Sequence, residues 1–112
     1  MGLVSEWEGE VTGFLMGRAT GDQAEILNIG VMPGKRRKGE GSALLRAALD
    51  EFYSRGTTRV FLEVRESNEA AKAFYARHGF SKVGHRSGYY RDPDEAALLM
   101  EKILTTQNQS PS

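Results

Sequence analysis

A chain of 112 residues suffices for one core and one domain, and two domains are not expected at this length. Fifteen lysines and arginines against fifteen aspartates and glutamates leave no formal net charge, which argues against a nucleic-acid or anionic-lipid partner held by a global field. With no cysteine, a disulfide, a thiolate zinc site and a cysteine nucleophile are excluded; with no apolar run of membrane length and no leader pattern at the start, a cytoplasmic protein that engages no membrane is expected.

The first element is a hairpin, with β-forming residues at Val4–Trp7 and Val11–Ala19 around Glu8-Gly9-Glu10. In its second arm Val11, Leu15 and Ala19 alternate against Thr12, Phe14, Met16 and Arg18, and apolar groups on both faces predict a strand covered on both sides. Gly21-Asp22 turns the chain into a strand from Ile26 to Met32, where Gly30 marks a bulge or the close approach of another backbone and Pro33 ends the ladder. A helix follows from about Gly39 to Arg55: Gly41, Leu44, Leu45, Ala48, Leu49 and Phe52 form one apolar stripe, and Arg55-Gly56 supplies the stop. Arg59–Arg65 alternates as a strand, with Val60, Leu62 and Val64 on one face and Phe61 and Glu63 on the other. Ser67 is placed to cap a second helix through about His78, packing through Ala70, Ala71, Ala73 and Phe74 and stopping at Gly79. Phe80–Ser87 and Ala96–Leu104 read as strands around a polar loop from Gly88 to Glu95, and residues 105–112 as a disordered tail behind a single domain spanning 1–104. This order predicts an α/β (α+β) fold, a mixed central β-sheet with helices packed on it.

One stretch carries a chemical signature. Four consecutive cations, Lys35 to Lys38, precede Gly39-Glu40-Gly41-Ser42 at a helix start, where unpartnered backbone N–H groups and the helix dipole favour an anion and the glycines remove blocking side chains. In a balanced chain, such a cluster points to a local anion site rather than a nucleic-acid footprint. A Walker A loop fails because Glu40 stands where its lysine must be, and a dinucleotide-binding G-x-G-x-x-G fails at Leu44. What remains, Arg36-Arg37-Lys38-Gly39-Glu40-Gly41, resembles the acyl-CoA pyrophosphate loop of the GNAT superfamily of N-acetyltransferases; the competing reading is a charged loop before an ordinary surface helix.

Downstream, Phe61-Leu62-Glu63-Val64-Arg65 followed by Ser67-Asn68-Glu69-Ala70-Ala71, with Phe74-Tyr75 and His78-Gly79-Phe80, resembles a second hallmark of that superfamily, specifically of its RimI-type N-terminal-alanine acetyltransferases. The closing Gly88-Tyr89-Tyr90 and the acidic stretch after it look like the same subfamily, and the resemblance runs from the first hairpin to Leu104. It implies a GNAT-like fold lacking the first strand and first two helices, acetyl-CoA as donor, and a primary amine as acceptor, in the first place a protein N-terminal α-amine. The pyrophosphate would lie on Arg36, Arg37, Lys38, Gly39, Glu40, Gly41 and Ser42. The backbone of Ile29, Gly30 and Val31 would pair with the pantetheine, with the Val31 N–H a candidate oxyanion donor.

Acetyl transfer needs a neutral amine and a proton for the departing thiolate. Glu63 is the candidate base, or else an ordinary surface or salt-bridged glutamate. Tyr75, protonated at neutral pH, is the candidate acid, or else a core aromatic beside Phe74. Asn68 is either a further CoA contact or a helix cap. His78 and His85 are single histidines without a ligand partner at useful spacing, read as structural, so no metal is implied. Two alternatives stay open, a small-molecule amine as acceptor and a non-catalytic CoA-binding module. An open hairpin edge with Trp7, Phe14 and Met16 exposed would make the protein a homodimer paired through its first strands.

Overall fold

The computed structural model describes residues 1–7, 9–32, 39–91 and 94–104, and the side chains of these except Trp7, 86–91 and 94–95. Six strands and two helices follow in the order β1 (Gly2–Trp7), β2 (Glu10–Thr20), β3 (Gln23–Val31), α1 (Glu40–Ser54), β4 (Arg59–Arg65), α2 (Glu69–Arg77), β5 (Ser81–Arg91) and β6 (Asp94–Ile103). All six strands join one sheet in the order β1-β2-β3-β4-β6-β5. Only β3 and β4 are parallel; the other neighbours are antiparallel, which makes the mixed sheet expected from the element order.

The core lies on the α1 side of the sheet. Leu44, Leu45, Ala48, Leu49 and Phe52 come round at helical spacing and bury against Leu15, Ile26, Val60 and Leu62. Phe52 is fully buried, and burial of that size stabilises the fold by roughly 1.5–3 kcal/mol. The positive φ of Gly56 lets the chain leave α1 where the stop was expected. Gly17 lets the sheet and α1 come close: a Cβ there would lie 2.8 Å from the Glu25 carbonyl oxygen and 3.0 Å from Phe52 Cζ.

Several expectations change. The strand β2 is not covered on both sides, for Val11, Phe14 and Met16 are exposed. Its simple alternation fails because Ser5 pairs with Gly13 and Glu6 with Val11, so Thr12 is an extra residue and turns inward, where it is buried and hydrogen-bonds Ser5. In β3 the extra residue is Leu27 rather than Gly30, because Met16 pairs with Asn28 and Gly17 with Ile26. What comes close to Gly30 is the Phe14 ring rather than another backbone: a Cβ on Gly30 would lie 2.6 Å from Phe14 Cε1. The cap of α2 is Asn68, whose side chain accepts from the Ala71 N–H at 3.0 Å, and not Ser67. The packing face of α2 is Ala71, Phe74 and Tyr75, while Ala70 and Ala73 are exposed. β5 and β6 run to Arg91 and from Asp94, pairing through Tyr90 and Glu95, so most of the expected polar loop is strand. The tail 105–112 and the side chain of Trp7 lie outside the described residues.

Candidate active site

The parallel seam between β3 and β4 is short. Gln23, Ala24 and Glu25 pair with Arg59, Val60 and Phe61, and the ladder stops there. Below it the chain is cross-linked, the Thr58 N–H donating to the Asp22 carbonyl at 2.7 Å. Beyond it the strands diverge around a cavity of about 280 Å³ lined on one side by Ile26–Ile29 and on the other by Leu62–Arg65. Neighbouring strands in a continuous ladder leave no such space; diverging ones present main-chain groups that an extended ligand can pair with.

Four of the predicted site residues line this cavity together, namely Ile29, Glu63, Asn68 and Tyr75. Glu63 arrives from β4 by the alternation that buries Val60, Leu62 and Val64, and is itself half-buried with its Oε2 fully covered. Tyr75 comes from α2 and is buried, its ring edge-on to Phe80 at 5.7 Å. Burial pushes the Tyr75 phenol above its ordinary pKa, because the phenolate is the form that loses hydration, so the hydroxyl keeps its proton at neutral pH. Asn68 spends its side-chain oxygen on the cap, which leaves its amide hydrogens for a ligand.

A second cavity of about 490 Å³ lies at the start of α1. It gathers the predicted Ile29, Gly30, Val31, Gly39, Gly41 and Ser42, together with Phe74 and Arg77 from α2. Gly39, at φ 73°, caps α1 without a side-chain hydrogen bond, so no side chain of the cap occupies the helix end. A Cβ on Gly41 would come no closer than 3.5 Å to the Phe74 ring and 3.7 Å to Val31 Cγ2, and both of those residues line this space. These features fit an anionic, extended ligand such as acetyl-CoA: small residues at a helix N-terminus, with β3 backbone beside them. Glu40 does not line the cavity; its Oε2 accepts from Ser5 Oγ at 3.2 Å, which ties the carboxylate to β1. Arg36, Arg37 and Lys38 lie outside the described residues.

Sequence reasoning missed two contributions. Phe74, expected only to pack, and Arg77, which carries no sequence signal of its own, stand three residues apart on α2, and the Arg77 guanidinium lies 6.0 Å from the Phe74 ring centroid. His78 is not isolated, since its Nε2 is 2.9 Å from Ser42 Oγ, joining the end of α2 to the first turn of α1. Burial lowers the His78 pKa first, and the charges of Arg46, Arg77 and Lys102 lower it further, so the ring is held neutral at neutral pH. His85 is exposed on β5. Among the described residues no helix is long and apolar enough to cross a membrane.

Comparison with known proteins agrees with this architecture. Residues 1–80 match the family model described as Acetyltransferase (GNAT) family. The [ribosomal protein bS18]-alanine N-acetyltransferase of Escherichia coli K12 is 39% identical over 94 residues, which cover 82% of this chain and 64% of that protein. The N-alpha-acetyltransferase RimI of Mycobacterium tuberculosis is 41% identical over 87 residues, covering 78% and 53%. The chain therefore spans somewhat less than two thirds of the length of these relatives. In three dimensions it superposes on the crystal structure of the ribosomal-protein-S18-alanine N-acetyltransferase from Escherichia coli with a TM-score of 0.88 and 34% identity, over 95% of this chain and 70% of that one.

Proposed function

The chain belongs to the acetyltransferase (GNAT) family and has its fold, and from that premise we propose that it transfers the acetyl group of acetyl-CoA to a primary amine, the N-terminal α-amine of a protein. The observation that carries this reading is the cavity between the diverging β3 and β4, which Glu63, Asn68 and Tyr75 line together.

Acetyl-CoA supplies an activated acyl thioester. Gly39, Gly41 and Ser42 receive its pyrophosphate at the start of α1, with the cations Arg36, Arg37 and Lys38 just before them in sequence, and the β3 backbone at Ile29, Gly30 and Val31 runs beside the pantetheine. Glu63 takes a proton from the incoming ammonium, directly or through one water, so that the nitrogen lone pair becomes nucleophilic. The Tyr75 hydroxyl, kept protonated by its buried setting, returns a proton to the departing sulfur. The Val31 N–H is the donor we assign to the carbonyl oxygen as it gains charge.

An α-amine has an ordinary pKa near 7.7–8.0 against about 10.4 for lysine, so a carboxylate base has less work on a chain terminus. The Escherichia coli relative is named for a ribosomal-protein alanine, and we carry that acceptor class, with the cytoplasmic location it entails, to this chain as part of the proposal. Release of CoA with Ala-, Ser- and Met-starting peptides, lysine peptides and polyamines tests it; turnover on polyamines alone would overturn the peptide assignment. Tight acetyl-CoA binding with no transfer to any amine would instead favour a CoA-binding module. Among the described residues β1 lies at the edge of the sheet, beside the exposed Val4, Phe14 and Met16; we extend the proposal to pairing of two copies there, which light scattering at micromolar concentration checks.

A further inference from the structure

Behind the Ser42–His78 hydrogen bond lies another cleft, of about 460 Å³, that the proposed reaction does not use. Arg46 and Asp50 reach it from α1, Arg77 and His78 from the end of α2, and Lys102 from β6. Three cations meet one carboxylate there, which leaves two positive charges in excess when His78 is neutral. None of the three cations forms an ion pair among the described residues. Their fields converge on one point, since each of them separately pushes the His78 ring toward its neutral form. A cleft of this kind binds an anion of about two charges, which is the charge of a phosphate monoester at neutral pH.

Position says which monoester. Arg77 lines both this cleft and the cavity holding Gly39, Gly41 and Ser42, so the two spaces adjoin at that side chain. If the pyrophosphate of acetyl-CoA sits at the start of α1 and its pantetheine runs along β3, the nucleotide end must leave in the other direction. Arg77 and the Phe74 ring stand at the wall of the same cavity. The third phosphate of acetyl-CoA is a monoester on the ribose, one sugar away from the pyrophosphate.

We propose that Arg46, Arg77 and Lys102 form the binding site for the ribose 3′-phosphate of acetyl-CoA, and that through it the protein distinguishes the cofactor from its 3′-dephosphorylated form. This rests on the acetyl-CoA reading above and deepens it. Asp50, one helical turn beyond Arg46, sits in the same cleft and limits its excess charge, which lets a monoester bind without drawing in every polyanion.

The test is calorimetric binding of acetyl-CoA and of acetyl-3′-dephospho-CoA to the wild-type chain and to the double variant Arg46→Ala, Lys102→Ala. The wild type should prefer acetyl-CoA by about tenfold or more, as expected for charge-assisted contacts to one phosphate. In the double variant the preference should fall to within about twofold of unity, through weaker acetyl-CoA binding alone. Undiminished binding of the dephosphorylated thioester serves as the control for folding. Equal affinities in the wild type, or a preference that survives both substitutions, would overturn the assignment while leaving acetyl-CoA as donor. Failure of the wild type to bind either thioester would remove the donor reading and this site with it.

Discussion

Replacing Gly41 by aspartate should damage cofactor binding while leaving the fold intact or firmer. Gly41 is the second residue of α1, and a Cβ there would meet Phe74 Cζ at 3.5 Å and Val31 Cγ2 at 3.7 Å, ordinary contacts that require no movement. Relieving a helical glycine gains up to about 1 kcal/mol, and a carboxylate in the first turn adds about 0.3–1 kcal/mol through the helix dipole. The melting temperature should therefore hold or rise. Binding moves the opposite way, because two like unit charges about 4 Å apart at an effective dielectric near 20 repel by about 4 kcal/mol. Allowing for solvent screening, acetyl-CoA affinity should fall by roughly a hundredfold or more. Gly41→Ala adds the same Cβ without the charge and should change affinity by only a few-fold. Calorimetry and thermal melts on the three proteins measure both quantities. An unchanged dissociation constant for Gly41→Asp, or equal losses for alanine and aspartate, would refute the anion site at this helix start.

Glu63→Gln should lower the acetylation rate most near neutral pH and progressively less toward alkaline pH, where the amine deprotonates unaided; a pH–rate profile with a constant deficit removes the general-base role. Tyr75→Phe should keep the fold, since the ring still packs on Phe80, but lower kcat more than it changes the acetyl-CoA dissociation constant. Phe52→Ala, at a fully buried position, should cost about 3–5 kcal/mol in urea unfolding with an unchanged denaturant slope. His78 holds a pKa below its unfolded value of about 6.5, so its contribution to stability is present above that pH and is lost as pH falls through the folded value. His78→Gln should accordingly flatten the loss of stability between neutral and mildly acidic pH.

Periodicity made the α1 stripe and the alternation of β4 legible, and the resemblance to the acetyltransferase motifs brought Glu63, Asn68 and Tyr75 into view before any geometry was known. Thr12 and Leu27 escaped because an extra residue in one strand is specified by its partner's register, which local pattern does not encode. Asn68 took the cap in place of Ser67 because both are good caps one residue apart, and the choice depends on where the chain enters the helix. The turn signals from Gly88 to Glu95 read as loop because Gly, Asp and Pro cluster there, yet antiparallel pairing carries β5 and β6 through most of it. His78 gave no signal in sequence because Ser42 lies thirty-six residues away and on another helix.

The shortness of the seam between β3 and β4 has a mechanical side. It splits the sheet into two antiparallel blocks, one built from β1, β2 and β3 and the other from β4, β6 and β5, and α1 packs chiefly against the first. Within the sheet, and among the described residues, the blocks are joined by the three rungs at Gln23, Ala24 and Glu25 and by the Asp22 to Thr58 link below them, all at one end. The molecule is thus built like a clothes-peg, sprung at the bottom and parted at the top. Whatever lies between the jaws with hydrogen bonds to both becomes a tie rod as well as a reactant, and its departure restores the weakest line in the sheet.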